Sequence, residues 1–269
     1  MSEDLDLIYN HLFLRKEQNR PISVFISGVN HVGASWCALT LAHALSLENG
    51  KTLLVDGNGF FSNISTYINL NHSLYLNEYI KGRKTLNQLI SAYKTNNFNI
   101  LVAQSGSDYL EEQPIGRIQI FSQDIAVLSQ NYDHTVIDIG TSISEQNFSL
   151  CQMADNILII CSNNSFDLVN TLETIRFIKR MNVAAKCYLI INKVDSFAEG
   201  YKIYKEFHMA LERNGIDIPK LLGTIRFDTR IRDTIRNKEL LLSRYPSSEA
   251  AIDIKNIAIK LNSENLYEK

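Results

Sequence analysis

Short apolar runs, rich in β-branched residues, alternate along this chain with longer stretches of mixed polarity. The runs are Ile22–Ser27, Thr52–Val55, Asn99–Val102, Thr135–Ile137, Asn156–Cys161, Lys186–Ile191 and Lys220–Ile225. Apolar residues on consecutive positions predict strands covered on both faces, because a strand with one wet face would alternate. Between the runs, Trp36 to Leu47 is apolar all round, which predicts a buried helix. Phe166 to Met181 places Leu168, Leu172, Ile175, Phe177 and Ile178 at helical spacing, which predicts a half-buried one. Strand and helix alternating over some 200 residues predict an α/β fold. The sheet is expected to be doubly wound and mainly parallel, with about seven to eight strands flanked by helices. No Pro/Gly/Ser-rich linker interrupts the pattern, so residues 21–269 read as one domain. Residues 1–20 read as an amphipathic arm, with Leu5, Ile8 and Leu12 at helical spacing.

Composition narrows the class. The chain has 269 residues, of which 45% are hydrophobic and 21% charged, and this excludes bulk disorder. Lys and Arg number 27 against 29 Asp and Glu, so the net charge of −2 argues against a surface given over to nucleic acid or anionic lipid. Cys37, Cys151, Cys161 and Cys187 lie too far apart for a zinc site, and a disulfide framework is not expected. The acidic start, Ser2-Glu3-Asp4, lacks the pattern of a signal peptide. The longest run is far below the roughly 20 residues that span a bilayer. A cytoplasmic protein is expected.

In a doubly wound sheet, ligands bind beyond the carboxyl ends of the strands. After the first run comes Ser27-Gly28-Val29-Asn30-His31-Val32-Gly33-Ala34-Ser35, then a helix. Gly28, Gly33 and Ser35 fit the skeleton of a phosphate-binding loop, G-x-x-x-x-G-K-[ST], but Ala34 occupies the lysine position. Such a loop works in two parts. Backbone N–H groups and a helix N-terminus cradle phosphate, which needs the glycines and the turn. A lysine then adds charge at the β/γ-phosphates while a hydroxyl holds Mg²⁺. The first part and the hydroxyl are retained; the lysine is not.

The loop and its sequel resemble the MinD/ParA family of deviant P-loop ATPases, whose loop reads K-G-G-x-G-K-[ST]. Leu53-Leu54-Val55-Asp56-Gly57-Asn58 is similar to that family's strand ending in D-x-D. Tyr132-Asp133-His134-Thr135-Val136-Ile137-Asp138 is similar to its Walker B strand, and Ile190-Ile191-Asn192-Lys193 to its adenine-contacting Asn segment. Leu221-Leu222-Gly223-Thr224-Ile225-Arg226-Phe227-Asp228, with Ile231-Arg232 and Tyr245-Pro246-Ser247-Ser248-Glu249-Ala250, resembles the FlhG (FleN, YlxH) branch, which sets flagellar number and position. The resemblance implies nucleotide binding by Gly28, Val29, Asn30, His31, Val32, Gly33, Ala34, Ser35, Trp36 and Asn192. It implies Mg²⁺ ligation by Ser35, Asp56 and Asp138, with ATP or ADP and Mg as candidate cofactors.

The departures carry as much weight. Val29 stands where the family has the lysine that reaches the partner's ATP across a dimer interface, and Ala34 replaces the phosphate-loop lysine. Asn58 stands at the position of the Asp that orients the attacking water, and Thr141-Ser142 replaces a switch Ala-Gly. A charge-assisted hydrogen bond contributes roughly 1.5–3 kcal/mol, and loss of a preorganised transition-state donor costs about 10²–10³ in rate. An asparagine can hold a water but cannot take its proton. These losses predict a pseudo-ATPase with hydrolysis absent or very weak. Whether the loop still holds nucleotide is open at this point, because the same residues also read as inherited scaffold. His31 reads as filler rather than as a phosphate contact.

Three further features have competing readings. Arg226, Arg230, Arg232 and Arg236 could meet phosphate or an acidic partner, but interleaved Asp228, Asp233 and Glu239 favour a solvated, charge-balanced face. Ile254, Ile257, Ala258 and Leu261 form a helical stripe. The tail beyond it lacks the basic residues of a membrane-binding helix, so a core-facing stripe and at most weak membrane association are expected. The arm lacks the D-Q-A-x-x-L-R motif of the FlhG branch, so it is read either as packing on its own domain or as contacting a partner. The expected function is that of a degenerate FlhG-like spatial regulator acting through protein partners in flagellar or polar assembly. It would be recruited to a cell pole or the inner membrane surface, with any homodimer forming without ATP. The alternatives are a slow ATP-dependent dimerisation switch, or a ParA-like partition or CpaE/TadZ-like localisation protein; nucleic-acid binding is not expected.

Overall fold

Consecutive apolar residues in this chain are buried in alternation on two sides of one sheet. Val24 and Ile26 enter the core on one side and Phe25 the core on the other, each almost fully buried. The computed structural model describes residues 20–48, 50–58, 64–70, 75–104, 113–141, 145–213 and 215–266. The arm expected over 1–20 therefore lies, apart from residue 20, outside the described residues, and so does Ser142.

Eight strands form a single sheet: β1 (Ile22–Ser27), β2 (Thr52–Asp56), β3 (Ser91–Tyr93), β4 (Thr95–Leu101), β5 (His134–Asp138), β6 (Asn156–Ser162), β7 (Lys186–Val194) and β8 (Lys220–Arg226). Their order is β3-β4-β2-β5-β1-β6-β7-β8. Every pairing is parallel except β3 with β4. The seven predicted runs all map to strands, with Val102 alone lying one residue past the end of its strand, β4. The eighth strand, β3, is a three-residue edge with no apolar run, joined to β4 through Lys94 in the left-handed region at φ 59°.

The helices of eight residues or more are α1 (Ala34–Leu47), α2 (Ile115–Ser129), α3 (Glu145–Gln152), α4 (Ser165–Arg180), α5 (Phe197–Glu212), α6 (Thr229–Asn237) and α7 (Glu249–Leu266). Helices α2 to α5 cover one face of the sheet, through residues such as Phe121, Leu150, Ile175 and Phe207. Helices α1 and α7 cover the other, and α6 adds Ile231 and Ile235 to that layer. Helix α1 is buried all round because it lies between the sheet and α7. Ile254, Ile257, Ala258 and Leu261 are all buried, so the C-terminal stripe faces the core. Among the described residues no helix is long and apolar enough to cross a membrane.

One buried polar residue gives this layer a pH dependence. His43 of α1 is 4% exposed and stacks on Phe98 at 5.6 Å, and its Nδ1 has no hydrogen-bond partner. Burial, aided by the charge of Lys94, lowers its pKa from 6.5 to about 4. A base with a depressed folded pKa stabilises the neutral form, so stability held above pH 6.5 is lost as the pH falls toward 4. The loss is on the order of 3 kcal/mol at full titration. Urea unfolding at pH 7 and pH 4.5 is expected to show this fall in wild type. The His43→Phe variant, which has nothing to titrate there, should show a fall smaller by that amount.

Candidate functional site

The carboxyl ends of β1, β2, β5 and β7 bring the sequence-predicted residues to one end of the sheet. After β1 the chain turns through His31 at φ 67° and Gly33 at φ 94°, both in the left-handed region. Gly33 caps α1 with no side-chain hydrogen bond, and its carbonyl accepts from Cys37 N at 2.9 Å. The first N–H groups of α1, on Ala34, Ser35 and Trp36, are thus the donors that a helix start leaves without intrahelical partners. Glycine is required at Gly28 for a different reason: a Cβ there would lie 2.5 Å from the backbone carbon of Asn170 in α4.

Side chains from other elements tie the loop down. Asn192 at the end of β7 is buried, and its Nδ2 donates to Val32 O at 2.8 Å while its Oδ1 accepts from Lys193 N at 2.9 Å. Lys193 Nζ donates to His31 O. Ser27 Oγ donates to Val29 O at 3.1 Å, and Thr141 Oγ1 donates to Asn30 Oδ1 at 3.2 Å. The two lysine positions of the resemblance are apolar here: Val29 packs half-buried on the α1 side of the core, and Ala34 is buried at the start of α1.

Asp56 and Asp138 are fully buried and are register partners at the ends of β2 and β5. Asp138 Oδ1 accepts from Gly140 N at 3.2 Å, the Ser35 hydroxyl donates to the carboxylate, and Oδ2 has no hydrogen-bond partner. Burial pushes the Asp138 carboxyl up to about 6, against the lowering effect of Ser35 and Gly140. A buried carboxylate with one open oxygen, beside a hydroxyl and a second carboxylate, is a hard oxygen donor set that fits Mg²⁺. Ser35 and Asp138 would hold the ion, with Asp56 alongside. When bound, such an ion neutralises phosphate charge. Asn58, 8% exposed, lies so close to Gly140 (φ 69°) that a Cβ on the glycine would come within 2.4 Å of its amide.

Above these residues opens a cleft of about 420 Å³. Val29 to Trp36, Asn58 and Asn192, all named from the sequence, line it. Gly28 instead lines a neighbouring, more open groove with Phe166 and Asp167. Asp56 and Asp138 contribute no surface to either. Other lining residues were not in the sequence-based set, among them Tyr67, Lys193, Phe227 and Arg232. Tyr67 approaches the carboxylates: burial first, and then Asp138, Cys37 and Asp56, push its phenol up to about 12. Lys193, Phe227 and Arg232 complete the far wall.

The arginine cluster divides rather than forming a uniform face. Arg226 is held by Asp253 through Nε at 3.0 Å and Nη2 at 2.9 Å, and by Glu249 at 2.6 Å, over the ring of Phe197. Asp228 caps α6 and pairs with Arg230 at 3.9 Å. Asp233, on α6, and Glu239, just beyond its end, were expected to offset the cluster but instead bind Arg244 at 2.9 and 2.6 Å.

The Asp138 site makes a direct prediction. A buried, raised-pKa carboxylate burdens the ligand-free fold, so Asp138→Asn is expected to raise the unfolding temperature without Mg²⁺ by a few degrees, about 1 kcal/mol or more. The same variant should lose the added stabilisation that Mg-nucleotide gives wild type. Thermal denaturation with and without Mg-ADP reads both effects.

No protein-family model matches the chain. In sequence it is 22% identical over 241 residues to the antiactivator FleN of Pseudomonas aeruginosa, covering 88% of this chain and 84% of FleN. In structure it is similar to the septum site-determining protein MinD of Pyrococcus horikoshii complexed with Mg-ADP. That match has a TM-score of 0.74 and 19% identity, and covers 90% of this chain and 95% of the other. The MinC:MinD cell division complex of Aquifex aeolicus gives a TM-score of 0.72 at 18% identity, covering 90% and 96%.

Proposed function

We propose that this chain, which has the MinD/ParA fold and a FlhG-like sequence, is a degenerate spatial regulator that works through protein partners. In this reading it binds nucleotide with Mg²⁺ as a structural ligand and turns it over negligibly. The observation that carries the reading is the combination at the loop. The glycine cradle and the open Asp138 oxygen are in place, while Val29 and Ala34 occupy both lysine positions. Binding draws on the first pair of features, and hydrolysis would need the second.

Similarity to an antiactivator, and to a MinD seen in complex with MinC, supports action by protein contact. A flagellar or polar setting follows from the FleN likeness alone. In that setting the protein is cytoplasmic and reaches its site through its partner. A slow ATP-dependent dimerisation switch is the second reading, favoured by one observation: Lys193 brings a cation to the loop from β7.

The test has two parts. Nucleotide released on denaturing freshly purified protein is identified by chromatography, and phosphate release from Mg-ATP is followed in parallel. The proposal expects bound nucleotide with phosphate release at the level of buffer. Sustained turnover would replace it with the switch reading. For the cellular role, deletion is expected to change the number or placement of flagella or polar structures, and normal placement would remove that assignment.

A further inference from the structure

A groove of about 440 Å³ runs along α2 and shares no residue with the cleft above the phosphate loop. Arg117, Ile120, Asp124, Val127, Leu128 and Asn131 form one wall, and the segment from Tyr79 to Asn87 contributes the other. These positions on and just after α2 follow helical spacing, so they make a single stripe. Ile120 and Val127 on it are 55% and 44% exposed, while the neighbouring Leu86 and Leu128 are buried. A concave apolar stripe of this kind marks a contact surface. We propose that the groove is the docking site of this chain's own N-terminal arm, with residues 2–16 lying along α2 as an amphipathic helix, whether or not nucleotide is bound.

The point where the arm joins the domain selects this occupant. Arg20, the first of the described residues, donates from Nη1 to the carbonyl of Gln130, which caps the end of α2. The next residue, Asn131, lines the groove. Pro21 is fixed just inside, its carbonyl accepting from Thr135 N at 3.1 Å. The chain therefore leaves the domain at one end of the groove, and an arm running back along α2 arrives at Arg117. From Arg117 to Asn131 is fourteen steps along the chain, about 21 Å at the rise of a helix. Residues 2–16 as a helix have the same length, and residues 17–19 supply the link. Those three residues reach at most about 10 Å. That is too short to carry the helix to the far end and lay it in the opposite direction.

The arm matches the groove in pattern and in charge. Leu5, Ile8, Tyr9, Leu12 and Phe13 follow the i, i+3, i+4, i+7, i+8 spacing of one helical face. Set parallel to α2, that face is placed to cover Ile120 and Val127. The acidic start, Glu3, Asp4 and Asp6, then comes to the Arg117 end. Lys84 and Arg117 are the cations lining the groove, and its one acid, Asp124, already accepts from Tyr79 Oη at 2.5 Å. A helix of some 15 residues is marginal alone in water, so the groove is what would hold it.

The experiment is hydrogen exchange of the full chain, read by mass spectrometry on peptides covering residues 2–16. Wild type is compared with Ile120→Asp, Val127→Asp and Leu12→Asp, and the unfolding midpoint of each is read in parallel. Ile259→Asp on α7 is the control, at a residue 56% exposed and outside the groove. Wild-type arm amides are expected to exchange about tenfold or more slowly than in the free peptide. Each of the three variants should return them toward the free rate with little change in midpoint, and Ile259→Asp should not. If an aspartate in the groove lowers the midpoint, Ile120→Ser and Val127→Ser take its place. Free-rate exchange in wild type would overturn the proposal. Protection that survives both groove substitutions would also overturn it, placing the arm elsewhere on the domain. Protection that is lost on dilution, together with a dimer in sedimentation, would overturn it in favour of docking on a second copy.

Discussion

The double substitution Ala34→Lys with Asn58→Asp is expected to raise ATP turnover about 10²–10³-fold above the wild-type background. The geometry explains why these two positions are chosen. Ala34 lines the cleft at the first turn of α1, so a lysine stem can run along the wall and place its ammonium at the phosphates. Asn58 lies against Gly140, and aspartate has the same shape, so the exchange adds a proton acceptor without moving the glycine. Ala34→Lys alone is expected to tighten Mg-ATP binding by about one to two orders of magnitude, the worth of one charge-assisted hydrogen bond. Asn58→Asp alone is expected to change affinity little. Steady-state phosphate release, with titration of each single variant, separates binding from turnover. If the double variant binds tightly and still releases no phosphate, the missing component lies elsewhere, with Val29 the next position to restore.

The second large effect is on folding. Gly28→Ala places a methyl group 2.5 Å from the Asn170 carbonyl carbon, 2.7 Å from its oxygen and 2.7 Å from Thr171 N. All three atoms belong to helix backbone, so no rotamer change relieves the clash and α4 must shift against β1. Overpacking of this kind costs about 1–3 kcal/mol or more, which for a domain of this size lowers the melting temperature by about 2–12 °C. Gly116→Ala is the control. It lies in α2, and an added Cβ would meet nothing within 4 Å. Removing the entropy cost of a helical glycine should stabilise the fold by about 0.5–1 kcal/mol. Opposite signs for the two alanine variants in one thermal melt are the expected result.

The sheet was legible in the sequence because burial on both faces writes itself as unbroken apolar runs. Ile157 to Cys161 can be nothing wet on either side, and it forms the interior of β6. Where burial is partial the signal fades. Strand β3, Ser91–Tyr93, is an edge with one buried residue, and its turn uses Lys94 in a conformation usually given to glycine or asparagine. Helix α1 begins at Ala34 rather than Trp36 because its first turn is set by Gly33 and not by hydrophobic pattern.

The site divides in the same way. The loop, Asp56, Asp138 and Asn192 could be read from spacing and resemblance because they follow directly on strands. Lys193 and Arg232 could not. A lysine next to a strand end ordinarily points to solvent, and only the positive φ and the register shift bring this one to His31. Arg232 stands among three other arginines and several acids, and which of the four are left without an ion pair, Arg232 and Arg236 among the described residues, depends on how α6 packs. Tyr67 comes from a four-residue helical turn, Ile64–Tyr67, with no motif to mark it.

The most direct test of the account is an equilibrium titration of the purified chain with Mg-ADP and Mg-ATP, read by calorimetry. The account predicts binding of both with a dissociation constant below about 100 μM, some −5.5 kcal/mol, and with no heat of continuing hydrolysis after the ATP injections. No detectable binding at millimolar nucleotide would contradict it, leaving the glycine cradle and the buried carboxylates as scaffold and moving the search for function wholly to protein partners.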